Sequence, residues 1–435
     1  VALILGTITS SWLALRAGRA ERRADAAAAQ AVENAEEAFE NAEEARANAK
    51  RATEQAARAE SSKDELRERV YVSDMNIVGE AYADGLISRM NDLLEKHRAP
   101  SSETDKRGLE WYHWWRAGHL ELGMARHPLT GSFGRLAVSA DGSTIALSGW
   151  PNHLYLYDSE SLCLLRAPLH FDGQSSVVCF SPDGQFLVVG SHWRSVGTRV
   201  LSTKTWEPVA TLPGYFSVMA FAKKPALMAL GSWETIQTWK CTDSSWEVNQ
   251  QWTTSGKVGS LDITPDGKIL VALLSTDFEG NQQIEVWDVQ AQTKIRNLDV
   301  DDTKAIGVVK MSPNGRYLAV GENDGDVHLW SSESFSAGGP SRPLRTLKAS
   351  AHITSLGFSP DETRLAAGTK KTNNLVVWDI ETGVREPPII VHAHSRQVDD
   401  IQFGGDSNTV YSAGDDGFLK VWDLSRCQPY DAISG

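Results

Sequence analysis

Cysteine is scarce in this sequence: Cys163, Cys179, Cys241 and Cys427 are the four among 435 residues, and no two form a C-x-x-C. That spacing excludes a zinc ribbon or a redox dithiol and leaves buried free thiols as the expectation. Basic residues are outnumbered, 43 Lys+Arg against 56 Asp+Glu, for a net charge of −13. A nucleic-acid binder needs a clustered basic face, so nucleic acid is not expected as a partner. Catalytic signatures are missing too. There is no G-x-G-x-x-G, no Gly-rich loop ending in Gly-Lys-Ser/Thr, no H-E-x-x-H and no G-x-S-x-G. The motifs for a dinucleotide, a nucleoside triphosphate, a zinc protease and a serine hydrolase are therefore all absent. Asp277-Phe278-Glu279-Gly280 resembles a kinase metal-binding motif only faintly, since no His-Arg-Asp loop precedes it and it falls inside a strand-turn pattern. His392 and His394 would share one face of a strand, but no third ligand accompanies them. No catalytic, cofactor-binding or metal-binding residue is assigned, and the chain is not expected to be an enzyme.

Long apolar runs are also lacking. An uncharged, apolar or small stretch, Val1 to Leu15, ends at Arg16. At about 1.5 Å per residue it covers only part of a ~30 Å hydrocarbon core. It reads as the tail of a membrane helix, as a signal-peptide core, or as the start of a buried or interfacial helix. Membrane anchoring is the expectation; Arg16, Arg19, Arg22 and Arg23 vote weakly for the following segment being inside. Residues 16–69 contain no proline and, after Gly18, no glycine. Ala, Glu and Arg dominate, all good helix formers. Ala28/Ala31, Ala35/Ala38, Ala42/Ala45, Ala49/Ala52 and Ala56/Ala59 form an unbroken heptad seam, which implies a left-handed supercoil and a weak homodimer. A solvated single-helix spacer is the competing reading.

Residues 70–119 read as a helical pair and an aromatic linker. Tyr71, Met75, Val78 and Tyr82 recur at helical spacing, Gly85 breaks the run, and Leu86, Met90, Leu93 and Leu94 resume it. Pro100 to Asp105 reads as a loop. The cluster Trp111-Tyr112-His113-Trp114-Trp115 is expected to pack against the domain that follows.

From residue 120 onward the pattern becomes short strands and turns. Ser139-Ala140-Asp141-Gly142, Ser181-Pro182-Asp183-Gly184, Ala222-Lys223-Lys224-Pro225, Thr264-Pro265-Asp266-Gly267, Ser312-Pro313-Asn314-Gly315, Ser359-Pro360-Asp361-Glu362 and Gly404-Gly405-Asp406-Ser407 recur every 41 to 48 residues. Each unit but the second closes on an aromatic: Tyr157, Trp239, Trp287, Trp330, Trp378 or Trp422. The second has Arg199-Val200-Leu201 there, and its His192-Trp193-Arg194 is irregular. This period and these anchors resemble the WD-repeat family. The resemblance implies an all-β seven-bladed propeller over residues 120–428, with 429–435 a tail, four antiparallel strands per blade, and protein or peptide partners on the propeller faces. Residues after Asp423 are poor material for a last outer strand, whereas Leu120 to His127 alternate well enough to supply it and leave no long free edge.

The family pattern also carries a buried hydrogen-bond chain. Matched residue by residue, it falls on His394, Ser412, Asp416 and Trp422 of the seventh unit, a structural tetrad. The sixth matches in part, with His352 upstream of Trp378 but no Asp in its turn. Tyr71-Val72-Ser73-Asp74-Met75-Asn76, Leu93-Leu94-Glu95-Lys96-His97-Arg98 and Arg107-Gly108-Leu109-Glu110-Trp111, placed between the alanine-rich helix and the repeats, resemble the C-terminal, non-kinase half of bacterial membrane-anchored Ser/Thr protein kinases with WD repeats. That implies a recruitment or sensing module; no kinase residue is present here. The functional expectation is a non-catalytic scaffold or sensor, membrane-tethered through a helical stalk.

Overall fold

A computed structural model describes residues 2–83, 87–98, 107–118, 120–127, 131, 133–150, 152–171, 175–191, 197–214, 216–223, 227–242, 245–276, 282–298, 305–381 and 388–427. The chain divides into two compact units, Val1–Gly79 and Glu80–Gly435.

The first unit is helical throughout. Helix α1 runs from Ala2 to Ala83 without a break, about 120 Å at the usual rise. The compositional boundaries at residues 15/16 and 69/70 are therefore not structural ones: no proline interrupts the segment, and Gly18 alone costs only ~1 kcal/mol. The alanine seam is exposed along its length, and pairs such as Arg69–Glu65 at 2.7 Å lie along the helix surface. No described helix is long and apolar enough to cross a membrane.

In the second unit, α2 (Ile87–Lys96) and α3 (Leu109–Gly118) precede the strands. The aromatic cluster is not a linker but α3 itself. Trp111 is buried and donates its Nε1–H to the Leu94 carbonyl of α2 at 3.0 Å. Trp115 stacks on it at 4.8 Å, and the Arg107 guanidinium lies 4.1 Å from its ring centroid. These contacts tie the cluster to α2, which the sequence expectation had not paired it with. Gly85, Leu86 and the Pro100–Asp105 loop lie outside the described residues.

The strands build seven four-stranded antiparallel sheets. Lettered a to d from the inside, the seven a strands are Phe133–Val138, Ser175–Phe180, Val218–Ala222, Lys257–Ile263, Ile306–Met311, Ile353–Phe358 and Val398–Phe403. Each touches the next, and the last touches the first, so the ring is closed. Blade seven takes its d strand from Glu121–Arg126, which pairs antiparallel with Phe418–Asp423. The core is not central. Seven apolar clusters fill the gaps between neighbouring sheets; across the closure, Phe133, Ile145 and Tyr157 of blade one pack on Tyr411, Leu419 and Val421 of blade seven. Every closing position faces the same register on strand b: Tyr157 opposite Ile145, Leu201 opposite Leu187, Trp239 opposite Met228, Trp287 opposite Leu270, Trp330 opposite Leu318, Trp378 opposite Leu365 and Trp422 opposite Val410.

The a–b turns explain the recurring anchors. Ser139, Ser181, Thr264 and Ser359 each donate to the Asp two residues on and accept the backbone N–H five residues on. The turn needs a positive φ one residue after that Asp, supplied by Gly142, Gly184 and Gly267. Blade six puts Glu362 there, at φ 59°. Blade five has Asn314 in place of the Asp, and the buried Glu362 carboxylate reaches across to accept the Asn314 N–H at 2.7 Å. The residue that breaks one turn rule thus compensates for the neighbour that breaks another. Replacing Glu362 with Ala should lower unfolding stability by ~1–3 kcal/mol. Glu362→Gly should cost ~1 kcal/mol less, because the strained φ is relieved. Denaturant melts of the two variants check the order; a more stable Ala variant would contradict it.

Candidate functional site: the channel, the blade-seven chain and the turn face

The inner strands line a channel in which side chains of one blade cap the backbone of the next. Ser260, Ser355 and Asp400 occupy equivalent places in blades four, six and seven. Each accepts the backbone N–H at the matching place of the following blade: Val309 at 3.2 Å, Ile401 at 3.2 Å and Leu136 at 2.9 Å. Two residues further on, Asp262 accepts the Met311 N–H at 2.9 Å and Gln402 the Val138 N–H at 3.1 Å. Ser355 also donates to Asp400 at 2.5 Å. Sequence reasoning missed this belt. The signal was available: Ser260, Ser355 and Asp400 each stand four residues before a turn anchor, where Val177, Val218 and Val308 stand in other blades.

Charges in the channel cancel. Lys310 lies 3.5 Å from Asp262, and Arg135 lies 3.9 Å from Asp400. The Asp262 carboxylate holds the Lys310 ammonium above its ordinary pKa against the opposing effect of burial. Burial pushes the Cys179 thiol up to about 11, so it stays protonated and is no nucleophile. At the mouth, burial lifts Asp399 to about 7, opposed by the Gln397 hydrogen bond of 2.6 Å. This set carries no activated nucleophile. All four cysteines are free, but Cys427 alone is buried and Cys163 is exposed, which corrects the expectation of four buried thiols. Cys163 sits in a surface connection, where burial does not dictate residue type.

The structure brings His394, Ser412, Asp416 and Trp422 together. The Trp422 Nε1–H donates to Ser412 Oγ at 2.9 Å. Ser412 Oγ lies 2.7 Å from His394 Nε2, and His394 Nδ1 lies 2.9 Å from Asp416 Oδ1. Running every donor in one direction assigns the proton to Nδ1. Asp416 also accepts the backbone N–H groups of Ser395 at 2.9 Å and Phe418 at 3.1 Å. Gly414 is required behind it, since a Cβ there would stand 2.4 Å from His394 Nδ1. Burial holds the imidazole neutral, below the ordinary His value, against the pull of Asp416. Burial alone would raise Asp416, but the His394 hydrogen bond and the two backbone donors outweigh it and keep the carboxyl low. With both nitrogens engaged, His394 is committed to the blade rather than to a metal shared with His392.

The other closing aromatics differ. Trp239 donates to Gln237 and Trp287 to the buried Glu285, each at 3.0 Å and two residues back on the same strand. Trp330 is buried with no hydrogen-bond partner for its indole nitrogen, because Val320 stands where blade seven has Ser412. Tyr157 and Trp378 are buried as well. In blade six, His352 directly precedes strand a and Ala349 stands four residues ahead, the place of His394 in blade seven, so the partial match assigned to His352 is out of register. Thr369 bonds to Thr372 at 2.9 Å there instead. Glu322, Asp326 and His328 place ligand-type atoms within 4.8 Å of one another. His328 Nε2 already meets Glu322 at 3.0 Å, and the Lys348 ammonium pairs with Asp326, so the group reads as an ion-pair cluster.

Among the described residues, the b–c turns emerge at one end of the ring. Two carry exposed tryptophans: Trp150 in blade one, 55% exposed, and Trp233 in blade three, 53% exposed. The Lys257 ammonium lies 5.2 Å from the Trp233 ring centroid. Blade two has Trp193 in the same connection, which lies outside the described residues with His192 and Arg194, as does Asp277–Gly280. At the opposite end a cleft of about 510 Å³ opens between blades four and five, bounded by Asp266, Lys268, Asp288 and Phe335.

The WD domain, G-beta repeat family matches residues 165–196, 293–331, 341–379 and 385–423. The later matches start near strand d of one blade and end at strand c of the next, which is the offset that sends the last d strand to the N-terminal side. Among curated relatives, Protein SPA1-RELATED 3 of Arabidopsis thaliana is 27% identical over 154 residues, 35% of this chain and 17% of its own length. The Target of rapamycin complex subunit wat1 of Schizosaccharomyces pombe is 24% identical over 54% of this chain and 73% of its own. The Small ribosomal subunit protein RACK1z of Arabidopsis thaliana is 27% identical over 31% of this chain and 43% of its own. The chain thus spans under a fifth of the first of these. A chain from the crystal structure of the mitotic checkpoint complex superposes with a TM-score of 0.58 at 18% identity, covering 75% of this chain and 96% of that one. The chain carries WD40 repeats folded into a seven-bladed β-propeller.

Ser412→Ala would strand two buried groups, the Trp422 indole and His394 Nε2, and should cost ~2–4 kcal/mol. Trp330→Phe removes a nitrogen that has no partner, so only the vacated volume counts and the cost should be smaller, ~1–2 kcal/mol. Thermal melts compare them directly. In an Asp399→Asn background, which removes a carboxyl that burial lifts to about 7 and that would act in the opposite direction, the same melts should show stability flat above pH ~6.5 and falling below it, because the unfolded chain then binds protons that the folded His394 refuses. His153, His352 and His392, also held low chiefly by burial, act in the same direction. Stability rising as the pH drops toward 5 would contradict the assignment.

Proposed function

We propose that this WD40-repeat propeller is a non-catalytic platform that holds protein or peptide partners at the end of the ring bearing the b–c turns. The observation that carries it is the pair Trp150 and Trp233, large apolar side chains left half open on turns of a rigid ring. Exposed tryptophans on a fixed frame are the residues that concentrate binding energy at protein interfaces. The self-neutralised channel, without an activated nucleophile, favours binding over chemistry. The names of the relatives support the reading: one is a ribosomal subunit protein, one a subunit of a target of rapamycin complex, and the structural neighbour comes from a checkpoint complex. The blade-seven chain of His394, Ser412, Asp416 and Trp422 acts in this account as a brace for the closing blade. Helix α1 serves as a tether to a membrane and, along its alanine seam, as a weak contact with a second copy.

The motifs at Tyr71–Asn76, Leu93–Arg98 and Arg107–Trp111 favour a second, wider reading, in which this platform recruits substrates for a membrane-anchored Ser/Thr kinase. A Lys, His-Arg-Asp and Asp-Phe-Gly set encoded upstream of Val1 would support it; a start codon there without such a set would end it. The platform reading is tested by capturing partners on the full chain and repeating the capture with Trp150→Ala/Trp233→Ala. Each truncation should weaken the captured interaction by about tenfold or more, ~1.4 kcal/mol, with the melting profile unchanged. Undiminished binding by the double variant removes the turn face from the account. Absence of any reproducible partner removes the platform.

A further inference from the structure

The first turns of α1 segregate their charge. At about 100° per residue, Trp12, Arg16, Arg19 and Arg23 fall within roughly 60° of one another, while Glu21 and Asp25 lie on roughly the opposite face. Trp12 is 59% exposed, and Leu13 and Leu15 beside it are exposed as well. Arg16 sits one turn beyond Trp12, its guanidinium 5.1 Å from the ring centroid. Arg22 points elsewhere: its Nε–H donates to the Gly18 carbonyl of its own helix at 3.1 Å. The residues before Arg16 carry no charge, and a basic stripe begins where they end.

Exposed Trp and Leu followed within one turn by a one-sided arginine stripe match the layers of a bilayer surface. Indole and aliphatic groups suit the headgroup–acyl boundary, and guanidinium groups suit phosphate at the headgroup level. An exposed aromatic could equally meet a neutral surface, but three arginines turned away from Glu21 and Asp25, the acids nearest them on the helix, call for an anionic one. We infer that Trp12, Arg16, Arg19 and Arg23 form a collar that docks α1 on an anionic lipid surface. This rests on the tethering reading above and names the lipid class it requires.

Flotation of the full chain with vesicles tests it. Phosphatidylcholine vesicles with about a third phosphatidylglycerol should bind about 100-fold more tightly than pure phosphatidylcholine at low salt, and ~0.5 M salt should remove most of the difference. Arg16→Gln/Arg19→Gln/Arg23→Gln should bring anionic vesicles down to the neutral level, while Arg22→Gln should change nothing. Circular dichroism of each variant should report an intact helix. Equal partition of the native chain into both vesicle types, or an unaffected triple variant, overturns the anionic collar and leaves a purely apolar tether standing. Flotation with neither overturns both. Binding of the stripe to an acidic polypeptide in place of vesicles would also overturn the lipid assignment.

Discussion

Every inner strand of a propeller turns one row of backbone N–H groups toward the axis, where no further strand can pair with them. Leaving such a donor unsatisfied costs ~1–3 kcal/mol each. Here, among the described residues, three of the seven junctions answer with side chains from the preceding blade: Ser260 and Asp262 at four to five, Ser355 at six to seven, Asp400 and Gln402 at seven to one. The carboxylates this brings into a narrow space are balanced by Lys310 and Arg135, again from the next blade. One requirement, capping the inner edge, thus accounts for the polar lining of the channel and for the cancellation of its charge.

A dense set of polar bonds falls where the ring closes. Blade seven is assembled from two distant parts of the chain, Val398–Asp423 and Glu121–Arg126. Its a strand contributes the Asp400 and Gln402 caps to blade one, and its interior carries the chain from Trp422 through Ser412 and His394 to Asp416. Long-range closure must be held after the entropy of a loop of nearly 300 residues is lost, and directional bonds at a fixed register serve that end. A ring held by its inner edges and apolar gaps leaves the b–c turns of blades one and three free to carry Trp150 and Trp233.

Sequence alone revealed the architecture because the turn anchors and closing aromatics are local features repeated seven times. The outer strand of blade seven was legible from the alternation at Leu120–His127. The tetrad residues were legible through family resemblance, and the structure places them within hydrogen-bonding distance. What escaped was relational. The Ser/Asp caps act on a neighbour 46 to 49 residues away, or, for Asp400, 264 residues away, so no local pattern displays them. Glu362 stands in the sequence only as the last residue of an anchor, and nothing local shows that its carboxylate serves Asn314 of the neighbouring blade. The misplacement of His352 shows the converse: a residue type in roughly the right stretch says little when one strand register decides which side chain faces the brace. The α3 cluster went astray because aromatic content does not say which surface is covered.

The most direct test of this account is amide hydrogen exchange at the inner edge. Leu136, Val138, Val309, Met311 and Ile401 face the axis rather than a strand. If side-chain capping holds the ring together, these amides should exchange about as slowly as the paired amides of the b strands, and those of Leu136 and Val138 should lose protection in Asp400→Ala/Gln402→Ala. Exchange as fast as that of the exposed turns in the native chain would show that the caps do not hold the ring, and would contradict the account at its centre.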